Sequence, residues 1–441
     1  MVHTETARMQ ALVLGGTEDH ILLIRALQRR GYRVVLVDYC SNPPAKSAAD
    51  EHVQESTLEK DAVLAIARDR RVDLVLALCI DQAVLTMAYV SEKLGLPCHL
   101  SHRTARTTTN KGLMKRMMVD CGLPTTRFAT LIPDDDIDSM VTGLAFPVVV
   151  KPADSNSSKG ITRADGRSAL NAAIPAAREH SRSDTVVVEE FVEGPEYSAD
   201  LFLRGGEPTL MVATRTFKTA LHPEHFVICN SMCPTDLSER DVGELLAIVR
   251  EMAKHFGIPD GPLFIQFIRG DRGLRILEFN ARIGGGSRHH FIRFACKTDY
   301  LEQVVDFCLG AAAAPEPAGD GAFYGCQFAY ARPGVMRHVD GLQECRAEGL
   351  ILDYYLYRSL GTHIVGNNSS AHRPLGTVVR GESLEDLREK VHAADSRMRI
   401  LDDEGRDILI HGLHFPYGDD GVCNVALESA EVADSAGPTP C

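Results

Sequence analysis

Residues 9–97 alternate short apolar runs with amphipathic stretches, and this alternation constrains the fold more than any other feature of the chain. The run MQALVL at 9–14 reads as a strand, Gly15-Gly16-Thr17 as a turn, and residues 20–30 as a helix closed by Gly31. A strand at 34–38, a helix at 58–70, a strand at 74–80 and a helix at 82–94 follow. Such a series predicts parallel strands covered by helices, an open α/β domain. The first turn, GGTEDH, lacks the third glycine of a dinucleotide fingerprint, which disfavours hydride transfer with a nicotinamide cofactor.

Beyond this series the pattern changes. Residues 110–121 predict a linking helix that ends at Gly122-Leu123-Pro124. From 146 the order is strand (PVVVKP), polar loop (ADSNSSKG), helix (168–179), strand (TVVVEEFV) and strand (EYSADLFLRGG), an α+β unit. A helix at 239–256 precedes two strands, 263–268 and 274–279, joined by GDRG and followed by glycines at 284–286. A helix at 300–309 ends in the Ala/Pro/Gly loop GAAAAPEPAGDG. Residues 321–415 read mainly as strands with one helix at 384–400, and from 417 onward the chain reads as a disordered acidic tail.

The charge balance narrows the function. With 47 Lys and Arg against 60 Asp and Glu, the formal charge of −13 argues against a surface for nucleic acid or anionic lipid. No run approaches the ~20 apolar residues of a spanning helix, and MVHTETARMQ shows no secretory pattern, so a cytoplasmic location is expected. The 12 cysteines then read as free thiols. Cys229 and Cys233 lie four apart with no second Cys/His pair at zinc-site spacing, and read as packing residues.

The segment LRILEFNARIGGGS carries the sharpest chemical signal. On a strand, Glu278 and Asn280 share a face, and oxygen ligands so placed suit a divalent cation such as Mg²⁺. Arg282 has the same parity if the strand continues, and Gln266 in LFIQFI stands opposite in a hairpin. Lys151-Pro152 leads into a small-residue loop able to present N–H groups to phosphate, although the P-loop pattern is absent. Thirty-eight residues after Lys151, EEFVEGPE offers backbone groups at Glu190 and Val192 to an adenine edge and the Glu196 carboxylate to ribose hydroxyls.

The ordered set NK (110–111), KP (151–152) with its loop, EEFVEGPE (189–196) and LEFNAR (277–282) resembles the ATP-grasp superfamily over about residues 9–410. The resemblance implies a Rossmann-like, parallel α/β pre-ATP-grasp domain over 1–100, and a linker helix with a lid subdomain over 101–190. It implies a larger α+β subdomain over 191–416, with the metal site and a strand-rich extension, before the tail at 417–441. It places Lys111 and Lys151 on the phosphates of ATP, with the loop 155–160, including Ser157, Ser158 and Gly160, closing over them. Lys218 is a further candidate phosphate contact or an exposed strand lysine. Glu189, Glu190 and Val192 would form the adenine hinge and Glu196 would meet the ribose. Glu278, Asn280 and Gln266 would hold Mg²⁺ or Mn²⁺. Many members carry a carboxylate where this chain has Gln266; carbamoyl phosphate synthetases resemble it in using glutamine, at the loss of one negative charge.

Such a site activates a carboxylate as an acyl phosphate, which an amine then attacks. Arg282 and the N–H groups of the 284–287 loop, Gly285 and Gly286 among them, are the candidate oxyanion donors. Arg288 is a candidate clamp for a substrate carboxylate, and His289 and His290 either act as bases or line the pocket. The whole pattern is most similar to the L-amino-acid ligase group. The resemblance thus implies carboxylate and amine substrates, an amino acid as at least one of them, and a homodimer. His222, His225, Asn230 and Arg288 are the candidate specificity positions. Alternatives left open are a carboxylase, carbamoyl-phosphate or purine-pathway enzyme of the same superfamily, a nucleotide-binding regulator, and an NAD-dependent oxidoreductase.

Overall fold

The computed structural model describes residues 8–219, 221, 226–311, 314–366, 368–413, 415 and 422–423. Near the N-terminus, four parallel strands stand in the order Glu51–Gln54, Arg33–Asp38, Gln10–Leu14, Leu74–Leu76. The apolar strands of this sheet are buried on both faces, as the helices Asp19–Arg29, Lys60–Asp69 and Asp81–Leu94 require. The edge strand Glu51–Gln54 was not legible because EHVQ has no apolar run, and the fourth strand stops at Leu76 rather than at 80. Strand order reverses between Gln10–Leu14 and Leu74–Leu76. The segments that leave their carboxyl ends, 15–19 and 77–81, therefore flank the crevice where ligands bind in sheets of this type.

A second sheet of four antiparallel strands runs Phe128–Leu131, Val186–Glu190, Val148–Pro152, Thr162–Ala164. Leu170, Ala173, Ile174 and Ala177, at helical spacing on Arg167–Glu179, pack with Val148, Val150, Val186 and Val188 into a core of their own. Most of the other buried apolar residues form one larger cluster, shared by the parallel sheet and the third sheet.

That third sheet has nine strands. Its main path is Gly273–Asn280, Gly261–Gly270, Glu196–Arg204, Glu207–Thr219, Ile228–Cys233, Phe323–Phe328, Leu375–Gly381, Asp353–Leu356. Period-two alternation divides its faces. Tyr197, Ala199, Leu201, Ile265, Phe267 and Phe279 point to the core, where helix Glu239–Phe256 covers them with Leu245, Ile248, Val249, Met252 and Phe256. Each of the Leu, Ile, Val, Met and Phe side chains among them, when fully buried, contributes about 1.5–3 kcal/mol. The helix is fixed at its start by the reciprocal Ser238–Asp241 capping box and stopped by left-handed Gly257.

Three readings of the C-terminal part need correction. Helix Leu384–Arg397 ends before Met398, which is extended, and Arg399–Leu401 pairs as a strand with His338–Asp340; apolar Ile400 satisfies either period. A six-residue helix, Leu342–Ala347, interrupts the expected strands. Within the stretch expected to lack structure, Val422–Cys423 pairs in parallel with Lys218–Thr219; the rest of 417–441 lies outside the described residues. Helix His102–Thr108, capped by Ser101, was also not anticipated. Among the described residues, no helix is long and apolar enough to cross a membrane. The ten cysteines from Cys40 to Cys345 are free thiols.

The last described turn is held by His411, whose Nδ1 lies 3.0 Å from the Asp395 carbonyl oxygen and whose Nε2 lies 3.0 Å from Asp407 Oδ2. The Asp395 carboxylate, whose Oδ2 lies 3.5 Å from Nδ1, raises the imidazole pKa to about 9, with Asp407 adding to it against the opposing effect of burial. A raised folded pKa gives stability that is complete below the unfolded value of about 6.5 and is lost as pH rises through about 9. Melting temperature measured from pH 6 to 10 should therefore fall less steeply for His411→Gln than for the unsubstituted protein. Identical slopes would mean that this contact contributes nothing.

Candidate functional site

Opposite its core face, the nine-stranded sheet presents an unusual density of polar groups. Glu196, Ser198 and Asp200 alternate along one strand; Ser198 stands beside Thr214 on one neighbour and Gln266 on the other, and Gln266 is in register with Glu278. Between this face and the four-stranded sheet lies a cleft lined by Lys111, Lys151, the loop 155–159, residues 189–192, Gln266 and Glu278. Apolar Val149, Ile268 and Leu277 line it too, a combination suited to a flat ring carrying an anionic tail.

The lysines of the cleft are already paired. Lys111 starts the helix Lys111–Asp120, capped by the Asn110 side chain. Its Nζ donates to the Ser155 carbonyl at 2.7 Å and lies 3.2 Å from Glu278 Oε2. Lys151 is ion-paired with Glu189, and Lys218 with Glu196. Burial raises the Glu278 carboxyl pKa, but Lys111 and Lys151 outweigh it and the net shift is downward. One residue missed in the sequence joins this network. Lys115 stands one turn after Lys111, is fully buried, and reaches Glu189 Oε2 at 2.5 Å while donating to Thr126 Oγ1 at 2.8 Å. Its four-residue spacing from Lys111 was the available signal. Burial lowers the pKa of both Lys115 and Lys151 to about 7. Glu189 thus lines the cleft with its carboxylate committed to two lysines and its backbone inside the sheet. The strand ends at Glu190, and the Glu190 carboxylate turns outward to Arg127 and to the Ala145 N–H; Val192 lies beyond the ladder.

In the loop above, Ser157 and Ser158 adopt left-handed φ of 58° and 59°, and Gly160 follows at 66°. A Cβ on Gly160 would meet the His180 ring at 2.7 Å. The loop is tied across the cleft, since the Ser157 carbonyl accepts from Ser370 N–H at 3.1 Å and from Ser369 Oγ at 2.7 Å.

The glycine loop differs from expectation. Gly284 N–H donates to Asp200 Oδ1 at 3.0 Å, and Ser287 N–H to Asp19 Oδ1 at 2.9 Å; Gly286 N–H also reaches Asp19. These donors hold buried carboxylates, so the oxyanion assignment is corrected for Gly284, Gly286 and Ser287; a Cβ on Gly285 would stand 3.4 Å from the Cys79 carbonyl oxygen. Arg288 is likewise no free clamp: Nε donates to Asp200 Oδ2 at 2.8 Å and Nη1 to Thr214 Oγ1 at 2.9 Å, with the residue 4% exposed. Arg282 lies beyond the strand end at Asn280, and its Nε donates to Asp81 Oδ1 at 2.5 Å. Asp200, Asp19 and Asp81 escaped the sequence reading; an aspartate inside the apolar strand EYSADLFL was the signal for the first. Asn230 is buried and donates to the Leu413 carbonyl at 2.9 Å, a packing role rather than a specificity role. His222 and His225 lie outside the described residues.

His289 and His290 are buried with ring centroids 4.2 Å apart, and His290 stacks on Tyr355 at 4.0 Å. Burial lowers the His290 pKa to about 4, while burial and then neighbouring Asp19 raise that of Glu18 to about 8.

Residues 144–290 match the ATP-grasp domain family. The chain is 26% identical to a phosphoribosylamine–glycine ligase of Streptomyces coelicolor, over 89% of this chain and 96% of that protein. It is 29% identical to a D-alanine–D-alanine ligase of Aromatoleum aromaticum over 45% of this chain and 64% of that protein. Among solved structures, an L-amino acid ligase from Bacillus licheniformis superposes with a TM-score of 0.73 at 20% identity, covering 90% of this chain and all of that one. The ordered motifs, the cleft between two sheets and these likenesses agree: residues 144–290 form an ATP-grasp domain, in a chain similar over most of its length to ATP-dependent ligases.

Proposed function

We propose that this ligase activates a carboxylate as an acyl phosphate at the expense of ATP and joins it to an amine, at least one of the two substrates being an amino acid. The observation that carries the reading is the cleft itself, where Lys111, Lys151 and Glu278 converge below the 155–160 loop, with Arg282 two residues past the end of the strand that carries Glu278. Support for the substrate class comes from three relatives, a phosphoribosylamine–glycine ligase, a D-alanine–D-alanine ligase and an L-amino acid ligase, whose names each include an amino acid.

The donor set Glu278, Asn280 and Gln266 fits an oxygen-seeking cation, since Gln266 and Glu278 sit in register at the cleft and the strand continues to Asn280. Mg²⁺ held there would neutralise charge on the phosphate oxygens. Lys111 and Lys151 would fix the phosphates in line for transfer, and the 155–160 loop would exclude water. Val192, beyond the sheet ladder, is placed for an adenine edge. Asp81 holds Arg282 at the end of the metal strand, where the guanidinium can meet charge developing on the transferred group.

A purine-pathway reading is favoured by one observation, the nearly full-length match to the phosphoribosylamine–glycine ligase. Phosphate release with ATP and Mg²⁺ across amino acids, singly and paired, with mass spectrometry of the mixtures, separates the two. A product one water lighter than a pair of amino acids supports the proposal. Release that requires a phosphoribosyl amine supports the other reading instead.

Glu278→Gln should lower turnover by about 10²–10³-fold, the size of effect seen when a single transition-state contact is removed, with ADP affinity in titration calorimetry largely kept. Full turnover in that variant would refute the metal assignment.

A further inference from the structure

At the crevice where the parallel sheet reverses its order, three side chains of different chemistry meet away from the nucleotide cleft. Asp19 leaves the end of strand Gln10–Leu14, Cys79 follows strand Leu74–Leu76, and His289 comes from the first turn of helix Arg288–Cys296. One oxygen, one sulfur and one nitrogen of these residues all lie within 4.8 Å of one another, and all three residues are buried. We propose that Asp19, Cys79 and His289 bind a divalent transition-metal ion of the zinc type.

The spacing argues for a cation rather than for simple packing. His289 is 2% exposed, and neither of its ring nitrogens has a hydrogen-bond partner. Buried imidazoles are ordinarily satisfied. Its nearest carboxylate oxygen, Asp19 Oδ1, stands 3.5 Å from Nδ1, beyond the usual range for an N–H···O bond. Two ligand atoms each about 2.0–2.2 Å from a tetrahedral zinc ion are about 3.4 Å apart, so the gap has the width of a ligand pair. The orientation of the set is also fixed from outside, because Ser287 N–H holds Asp19 Oδ1 at 2.9 Å in the manner of an outer-shell partner. The His20 ring, held through Nδ1 by Thr17 Oγ1 at 2.8 Å, likewise keeps a buried Nε2 without a partner. A mixed S/N/O set selects zinc, cobalt or nickel over magnesium, which the all-oxygen set at Glu278 suits. Three protein ligands leave one position for a further ligand, so the site is distinct in both chemistry and place from the nucleotide metal.

The test uses the full chain, stripped of metal and titrated with Co²⁺ as the probe. The expected result is one tightly bound Co²⁺ per chain with a thiolate-to-cobalt charge-transfer band, displaced by Zn²⁺. The band should be absent in Cys79→Ser and retained in Glu278→Gln, and His289→Gln should weaken binding by at least about 10–100-fold. Absence of the band in the unsubstituted protein overturns the proposal whatever the variants do. Persistence of the band in Cys79→Ser overturns it as well, by assigning the metal to another thiol. Unchanged affinity in His289→Gln would have the same effect. Circular dichroism of the metal-free variants confirms that loss of the band is not loss of fold.

Discussion

Two buried aspartates hold the glycine loop, and the relation between the domains depends on them. Asp200 comes from the middle of the large sheet and takes Gly284 N–H and the Arg288 guanidinium; Asp19 comes from the first helix of the parallel domain and takes Ser287 N–H. The loop is therefore a joint with one end fixed to each unit. Its glycines are required by space as well as by freedom, since a Cβ on Gly284 would lie 2.8 Å from Phe264 and from the Arg288 side chain. Removing either carboxylate would strand buried donors, a loss larger than that of the bond itself. Arg29 and Arg30 reinforce the same joint from outside: Arg30 alone reaches Glu302 at 2.6 Å and Asp306 at 2.8 Å on the helix Tyr300–Cys308.

The four-stranded sheet stands apart from that joint. Its core is separate, and its ties to the rest are polar, among them the Lys115–Glu189 pair, the bonds of Lys111 to the Ser155 and Ala153 carbonyls, the Arg182–Glu59 ion pair and the contacts of Ser157 with Ser369 and Ser370. A unit with its own core can move as a body without disturbing the larger one, which is what a cover over a nucleotide has to do.

What the sequence revealed follows from periodicity, and what it hid follows from distance along the chain. The alternation in LFIQFI and LRILEFN set Gln266 opposite Glu278 because a hairpin register is a local property. The parallel domain was legible because its strands are apolar throughout, whereas the polar edge strand EHVQ was not. Arg288 was misread because its partner lies 88 residues away on another strand, and no pattern near Arg288 announces Asp200. Lys115 was hidden by its helix, where one more lysine in a charged segment looks like a solvated face although it is fully buried. The paired state of the cleft was hidden for the same reason, since each lysine and its carboxylate come from different elements.

That pairing bears on how an acidic protein holds a polyanion. With a formal charge of −13, the chain cannot draw nucleotide by its overall field. The attraction has to be local, and here Lys111, Lys151 and Lys218 each sit on a carboxylate: Glu278, Glu189 and Glu196. A lone phosphate gains little from lysines already neutralised. A nucleotide bound together with its cation would change the exchange, because a cation at Glu278, as proposed, would take over the carboxylate that Lys111 now neutralises and leave that ammonium to the phosphates. Neither charge is then buried without a partner before or after binding, which keeps the desolvation cost of a buried ionic site low. On the proposed assignment the Lys111–Glu278 pair would thus couple the two ligands: each would make room for the other, and the cleft would favour the metal–nucleotide complex over either component.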